Sequence, residues 1–361
     1  MFIKTHGIFC LFLFLLFIVL IVKLLYNIVD KILGGNYMEF VQAASNSDSL
    51  EGFCLIKTLD KKTTAKGLTY LDMILTDRSG EIVAKFWDYK EELHSIYEAN
   101  MLVKVRGKIL EYNGEPQFRI ERIRVVKDDD GVRMEDFVPS ASYESSAMLN
   151  KVYDIIDSFK DPDIKAIVYN IIKENEQKLL YWPAAFKLHH AIRGGLLFHT
   201  LSIVQLAESA CKIYTFLDRD LLLGGAILHD IAKTIEYDVA STGLASGYTA
   251  KGELIGHLIG GAMMVNEMAK KLGIDGEVAM LLEHMLISHH GDPEYGSAVR
   301  PLFPEAEVLS QLDGLDACMY EFADSLANVK PHEFSSRHWA LDNRKLYNHA
   351  RKDISFKVNL D

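Results

Sequence analysis

Cysteine is scarce in this 361-residue chain, and it shows no pairing. Cys10, Cys54, Cys211 and Cys318 lie far apart with no CxxC step. That argues against a disulfide framework and for reduced, buried thiols in a cytosolic protein. An excess of positive charge is missing too. The formal net charge of −11 argues against a general polyanion binder. The charge is uneven, however. Residues 53–127 hold 14 Lys+Arg against 11 Asp+Glu, a local +3 that leaves −14 for the remainder. A mildly basic module joined to an acidic one suits nucleic acid on the first and metal on the second. A solvated surface with chance imbalance accounts for the charge equally well.

Also absent is a small-residue cleavage site after the one long apolar run, Ile8 to Val22, which lies between Lys4 and Lys23. A cleaved secretory signal is therefore disfavoured. The run falls short of the roughly 20 residues that span a bilayer, although Leu24, Leu25 and Ile28 extend it. A membrane anchor over residues 8–28 is one reading, with lysines on both flanks leaving its orientation open. The other is that a bacterial gene starts at Met38. Leu33-Gly34-Gly35 can be encoded by bases that include AGGAGG, a ribosome-binding sequence, just before that methionine. The expectation is a cytoplasmic protein from Met38, with residues 1–37 as leader and anchoring as the alternative.

What remains is ordinary globular composition, 49% apolar and 25% charged, at a length that fits two domains. Residues 51–127 alternate like strands, with turn chemistry at Asp77-Arg78-Ser79-Gly80 and Asn113-Gly114. Five strands with a helical insert at 91–97, before the fourth, predict an OB-like barrel that binds oligonucleotides. Phe86, Trp87, Tyr112 and Phe118 are candidates for base stacking, and Lys85, Arg106, Lys108 and Arg119 for phosphate contact. Phe86 and Trp87 are neighbours on an alternating strand, so at least one of them belongs to the core. Residues 128–149 read as a linker, broken at Asp128-Asp129-Asp130-Gly131 and Pro139-Ser140-Ala141-Ser142.

From residue 150 to 330 the apolar spacing becomes helical. Histidines and aspartates stand at the edges of these runs: His199, His229-Asp230, His257, His289-His290 and Asp313. Imidazoles and carboxylates converging in a helical bundle suit divalent transition metals, with Mn or Co first and Fe or Zn possible. A metal site with open positions turns water into a nucleophile against phosphate esters. Any one of these pairs is a weak signal among 13 histidines; their order is the stronger one. His284 reads as helix surface, Asp316 competes with Asp313, and residues 331–361 read as a basic, polar tail.

The ordered set, with Gly195-Leu196-Leu197-Phe198-His199-Thr200, His229-Asp230-Ile231-Ala232-Lys233 and Ser288-His289-His290-Gly291, resembles the HD-domain metal-dependent phosphohydrolases. Together with the barrel, the chain from Met38 onward is similar to the YhaM family of bacterial 3′→5′ exoribonucleases. Supporting stretches are His189-His190-Ala191-Ile192-Arg193-Gly194-Gly195, Lys251 to His257 and Leu315-Asp316-Ala317. The resemblance implies an α+β two-domain hydrolase, an OB-like barrel followed by an all-α HD bundle. It implies two ions: His199, His229, Asp230 and Asp313 on the first, and His257, His289 and His290 on the second, bridged by Asp230. Lys233 would neutralise developing phosphate charge, with Asp230 and Lys233 as the catalytic pair. His190 and Arg193 would join the RNA contacts.

The implied partner is single-stranded RNA, with single-stranded DNA and a homo-oligomer open. Phe198 departs from relatives that place Glu before the first histidine. The Gly-Tyr-Pro expected after His-His in cyclic-dinucleotide phosphodiesterases is absent, since Gly291-Asp292-Pro293 follows. The rival functions are a small-nucleotide phosphohydrolase and a non-catalytic RNA scaffold with a structural metal.

Overall fold

The computed structural model describes Phe40 and residues 49–77, 79–112, 114–274 and 276–354. The expectations for residues 1–37 lie outside them. The chain divides into two compact units, residues 1–138 and 139–361.

In the first unit, β1 (Ser49–Thr63), β2 (Thr69–Asp77), β3 (Gly80–Phe86), β4 (Leu102–Tyr112) and β5 (Glu115–Val125) close into a barrel in the order β1-β2-β3-β5-β4. A short helix, α1 (Glu91–His94), precedes β4. Period-two alternation makes the core: Leu71, Met73 and Leu75 of β2 face inward with Ile82, Ala84 and Phe86 of β3. β1 serves two neighbours, pairing with β4 through its first half and with β2 through its second. An irregularity between Ile56 and Thr58 supplies the bend between them. Parallel pairing of β3 with β5 completes the closure. Phe40 joins this core, its ring edge-on to Phe118 at 5.1 Å.

The second unit is helical: α2 (Ser145–Asp157), α3 (Pro162–Leu179), α4 (Gly195–Ile213), α5 (Arg219–Leu228), α6 (Lys233–Glu236), α7 (Ala250–Leu272), α8 (Glu277–Ser288) and α9 (Pro304–Leu326). Residues at helical spacing, such as Val152, Ile156, Ile167, Ile171, Leu222, Leu282 and Leu309, meet in one buried core. Asp161 caps α3 by accepting from the N–H groups of Asp163 and Ile164, with Pro162 in the first helical position. Asp218 caps α5, taking the Leu221 N–H at 3.0 Å. Asp220 is buried and accepts the Asp161 N–H at 2.9 Å, which ties the starts of α3 and α5 together.

Three details differ from the sequence expectation. The span read as linker holds two 3-10 turns, Asp128–Asp130 and Met134–Asp136, and the start of α2. The bundle carries a small hairpin, β6 (Tyr237–Val239) with β7 (Ala245–Tyr248). The segment read as a tail folds into a second hairpin, β8 (Phe334–His338) with β9 (Arg344–Tyr347). Leu341 and Leu346 anchor this hairpin against Leu326 of α9, an apolar contact that the surrounding basic residues hide in the sequence. Among the described residues no helix is long and apolar enough to cross a membrane.

Candidate metal centre

Two helix ends and three positions within helices bring the ligand-type residues together. His199 lies one turn inside α4. That helix starts against the chain before it, because Gly195 comes so near the His190 carbonyl that a Cβ would lie 2.1 Å from its oxygen. α5 stops at Leu228, leaving His229 as its C-cap and Asp230 in the turn beyond. α8 ends the same way at Ser288, with His289 as C-cap and His290 next. His257 follows a kink inside α7, where Gly256 adopts φ 71° and ψ 169°, a conformation open essentially only to glycine. Asp313 comes from the middle of α9.

The imidazoles are oriented alike. Nδ1 of His199 meets Asp316 Oδ2 at 2.8 Å, and Nδ1 of His257 meets Glu236 Oε1 at 3.0 Å. Nδ1 of His229, His289 and His290 lies 2.8, 2.8 and 3.0 Å from the carbonyl oxygens of Ala226, Leu286 and Tyr295. Each acceptor fixes the proton on Nδ1 and leaves the Nε2 lone pair for a metal. On one side, Nε2 of His199 and of His229 are 3.2 Å apart. Asp230 Oδ2 lies 3.5 and 3.3 Å from them, and Asp313 Oδ1 is 3.2 Å from His199. On the other side, Asp230 Oδ1 lies 3.5 Å from His257 Nε2 and 3.8 Å from His289 Nε2.

These residues fit a metal. His199, His229 and Asp230 form one ligand cluster, and His257, His289 and His290 another. Asp230 Oδ1, His257 Nε2 and His289 Nε2 are buried with no hydrogen-bond partner. Three orphaned acceptors aimed at one space are costly in an apolar interior and are satisfied by a cation.

Electrostatics agree. Burial pushes His289 well below the usual imidazole range, reinforced by His229, which keeps it neutral as a ligand. Burial opposes charge on Asp230, but Lys233 and the surrounding imidazoles hold it well below the carboxylate range. Asp313 is likewise low despite burial, because His199 and the other imidazoles beside it favour its charged form in the stripped site. Lys233 Nζ sits 2.7 Å from Asp230 Oδ2 and is itself buried.

Asp316, weighed in the sequence against Asp313, lies behind His199. It also accepts from His190 Nε2 at 2.9 Å and from the Ser202 hydroxyl. Glu236 holds both the backbone N–H and Nδ1 of His257. Sequence reading missed Ser202 and Glu236, whose partners are distant in the chain.

Several expected RNA contacts need correcting. Phe86 and Phe118 are buried, at 3% and 0% exposure, because strand alternation turns both into the barrel; neither can stack on a base. His190 is buried on Asp316. The Arg193 guanidinium donates to the Ser241 carbonyl at 2.9 Å and lies over the Tyr181 ring. Lys85 is half-buried, 3.8 Å from Asp72. Trp87 is half-buried and stacks on Tyr70 at 4.3 Å, and Tyr112 is exposed.

Across β4 and β5, Arg106 faces Arg122 and Lys108 faces Arg119, all four exposed. Like charges directly opposite are unfavourable unless an anion lies over them. Trp87, Arg106 and Arg122 line an open groove of about 920 Å³. Lys85, Lys108, Tyr112 and Arg119 lie outside it. This groove carries none of the histidine–carboxylate clusters found among the described residues, so the chemistry belongs to the helical unit.

Fold and site define the class: a metal-dependent phosphohydrolase of the HD type that carries an OB barrel. The HD domain family matches residues 196–318, and the OB-fold nucleic acid binding domain matches residues 58–126. The chain is 39% identical over 303 residues to the 3′-5′ exoribonuclease YhaM of Geobacillus sp. (strain WCH70), covering 83% of this chain and 92% of that one. It belongs to the YhaM family. Solved structures similar to it include the second OB-fold domain of replication protein A from Methanococcus maripaludis, at 12% identity over 22% of this chain and 85% of that one, TM-score 0.18. Another is the mitochondrial single-stranded DNA binding protein Rim1 of S. cerevisiae, at 17% identity over 22% and 94%, TM-score 0.20.

Proposed function

We propose that this chain is a metal-dependent exoribonuclease that removes nucleotides from the 3′ end of single-stranded RNA. The observation that carries the reading is the shared orientation of five imidazoles, each tied at Nδ1, four of which lie within 3.8 Å of the two oxygens of Asp230. In this reading His199, His229, Asp230 and Asp313 hold one ion and His257, His289 and His290 hold a second, with Asp230 between them. The nitrogen-and-oxygen donor set accepts Mn, Co, Fe or Zn, and Mn or Co is the proposed occupant. Bound there, the ions supply Lewis acidity toward a phosphate and its attacking water.

The chain's own groups do the rest. Lys233 neutralises part of the Asp230 charge and adds a fixed cation near the place where phosphate charge develops. Asp316 and Glu236 keep His199 and His257 from rotating. The exposed cations of β4 and β5 offer the barrel a sequence-independent hold on an RNA backbone. RNA as substrate and the 3′→5′ direction follow from the family.

The test starts from protein stripped of metal and re-supplied with Mn, incubated with 5′-labelled single-stranded RNA beside Asp230→Ala. A descending ladder for the wild type and none for the variant is the expected result. Intact RNA in both lanes, with metal bound, refutes the reading and directs attention to small nucleotides.

A further inference from the structure

The helical unit contains a cavity of about 810 Å³, inside the size range of sites that enclose small ligands. Its floor is the metal-facing group, including Lys233, His257, His289 and Asp313. Its walls are largely aromatic: Phe186, Tyr237, Tyr248, Tyr295 and Trp339. Tyr248 meets Phe186 edge-on at 5.9 Å and Tyr237 at 5.2 Å, so that wall is a braced aromatic surface. Tyr295 and Trp339 leave 73% and 69% of their area exposed.

Separate pieces of chain deliver these rings. Tyr248 comes from hairpin β6–β7. Tyr295 belongs to the turn whose carbonyl holds His290. Trp339 stands two residues from Leu341, the anchor of the C-terminal hairpin. A phosphodiester has no need of such walls, since its oxygens call for donors and cations. A nucleobase does need them, because its flat face gains from stacking on rings and loses water in doing so. Lys187 Nζ, 5.0 Å from the Phe186 ring centroid, places a cation beside the same wall.

We propose that this aromatic rim is the base-binding subsite for the 3′-terminal nucleotide, with Trp339 and Tyr248 as its stacking residues. The proposal rests on the phosphodiesterase reading of the metal centre and deepens it. Every base has a π face, so stacking grips the chain end without reading its sequence and seats the phosphate over the floor.

The test compares the full Mn-loaded chain on one RNA ending in an ordinary or an abasic 3′ nucleotide. The wild type favours the base-bearing end about tenfold in kcat/KM, chiefly through KM. Trp339→Ala and Tyr248→Ala bring that ratio toward one, and Trp339→Phe, which keeps a ring, preserves it. An unchanged ratio in folded alanine variants overturns the proposal.

Binding is read separately, by quenching of tryptophan emission with uridine monophosphate. The reading is taken in a Trp87→Phe background, because Trp87 lines the barrel groove; there the nucleotide quenches, and Trp339→Phe loses the signal because Trp182 is buried. Absence of quenching in that background also overturns the proposal. Failure of the exonuclease reading looks different: RNA stays whole while nucleotide quenching persists, which leaves the subsite standing.

Discussion

Replacing Asp316 tests whether a carboxylate bonded to the Nδ1 side of His199 governs the metal centre. Its two oxygens accept three donors, His190 and His199 on Oδ2 and Ser202 on Oδ1. In Asp316→Asn the amide oxygen stays toward the two imidazoles, both of which donate to Oδ2 in the wild type. The NH2 then faces Ser202, whose hydroxyl rotates to accept. All contacts survive as neutral bonds, and charge-assisted bonds are about twice as strong, so the loss is about 1–2 kcal/mol. Asp316→Ala leaves three buried donors unpaired and opens a cavity. At about 1–3 kcal/mol per orphaned group, partly relieved by relaxation, the loss is about 3–5 kcal/mol.

Metal affinity follows the same order, because His199 loses its orienting partner in the alanine variant: a drop of about 10–100-fold for Ala and several-fold at most for Asn. Denaturant melts of the stripped protein and a metal titration of each variant measure both quantities. Equal metal affinity in wild type and Asp316→Ala would refute the claim that this carboxylate positions His199.

Other outcomes follow from the same geometry. In stripped protein, burial disfavours protonated His199, yet hydrogen bonds to Asp313 and Asp316 push it up to about 10. Its folded value lies above the unfolded one of about 6.5, so the stability it contributes is complete below about pH 6.5 and is lost as pH rises toward 10. Thermal melts across that window should fall in chelated protein, and added Mn should cancel the slope. Gly256→Ala forces a side chain into a glycine-only conformation and should cost about 1–3 kcal/mol. It should also weaken metal binding through displaced His257, read by titration against the wild type. Arg106→Ala should leave barrel stability within about 0.5 kcal/mol and lower the salt slope of RNA binding by about 1, measured by fluorescence anisotropy at several salt concentrations.

How far the sequence could be read depended on where each signal lives. Alternation in β2 and β3 and turn chemistry at Asp77 and Gly114 reported the barrel, because a half-buried strand must alternate. The same alternation places Phe86 and Phe118 inside, yet period two alone does not say which phase faces the core. Helical spacing over residues 150–330 reported the bundle, and two of its apolar runs do end at histidines, α5 at His229 and α8 at His289. Hairpins β6–β7 and β8–β9 are too short to build a pattern of their own. The groups that orient the ligands were hidden for a different reason. Glu236 serves His257 from 21 residues away, and Asp316 serves His199 from 117. Such pairs are fixed by packing alone.

Two of the five histidines, however, solve their orientation at their own helix ends, and in the same way. The last carbonyls of a helix have no intrahelical partner. His229 and His289 each occupy the first position after a helix and donate Nδ1–H to the carbonyl three residues back, Ala226 and Leu286. One bond thereby satisfies an orphaned backbone group, fixes the tautomer and aims Nε2 away from the helix. The negative ends of α5 and α8 then point toward the space a cation would fill, which favours positive charge there. An apolar helix that stops at a histidine is thus a metal-site signal with a physical cause, because its geometry needs no distant partner. His199 and His257, set inside α4 and just beyond the α7 kink, lack such a carbonyl and depend on Asp316 and Glu236 instead. In each half of the centre the histidine held by a distant carboxylate, His199 or His257, should therefore loosen before its helix-end neighbour, His229 or His289.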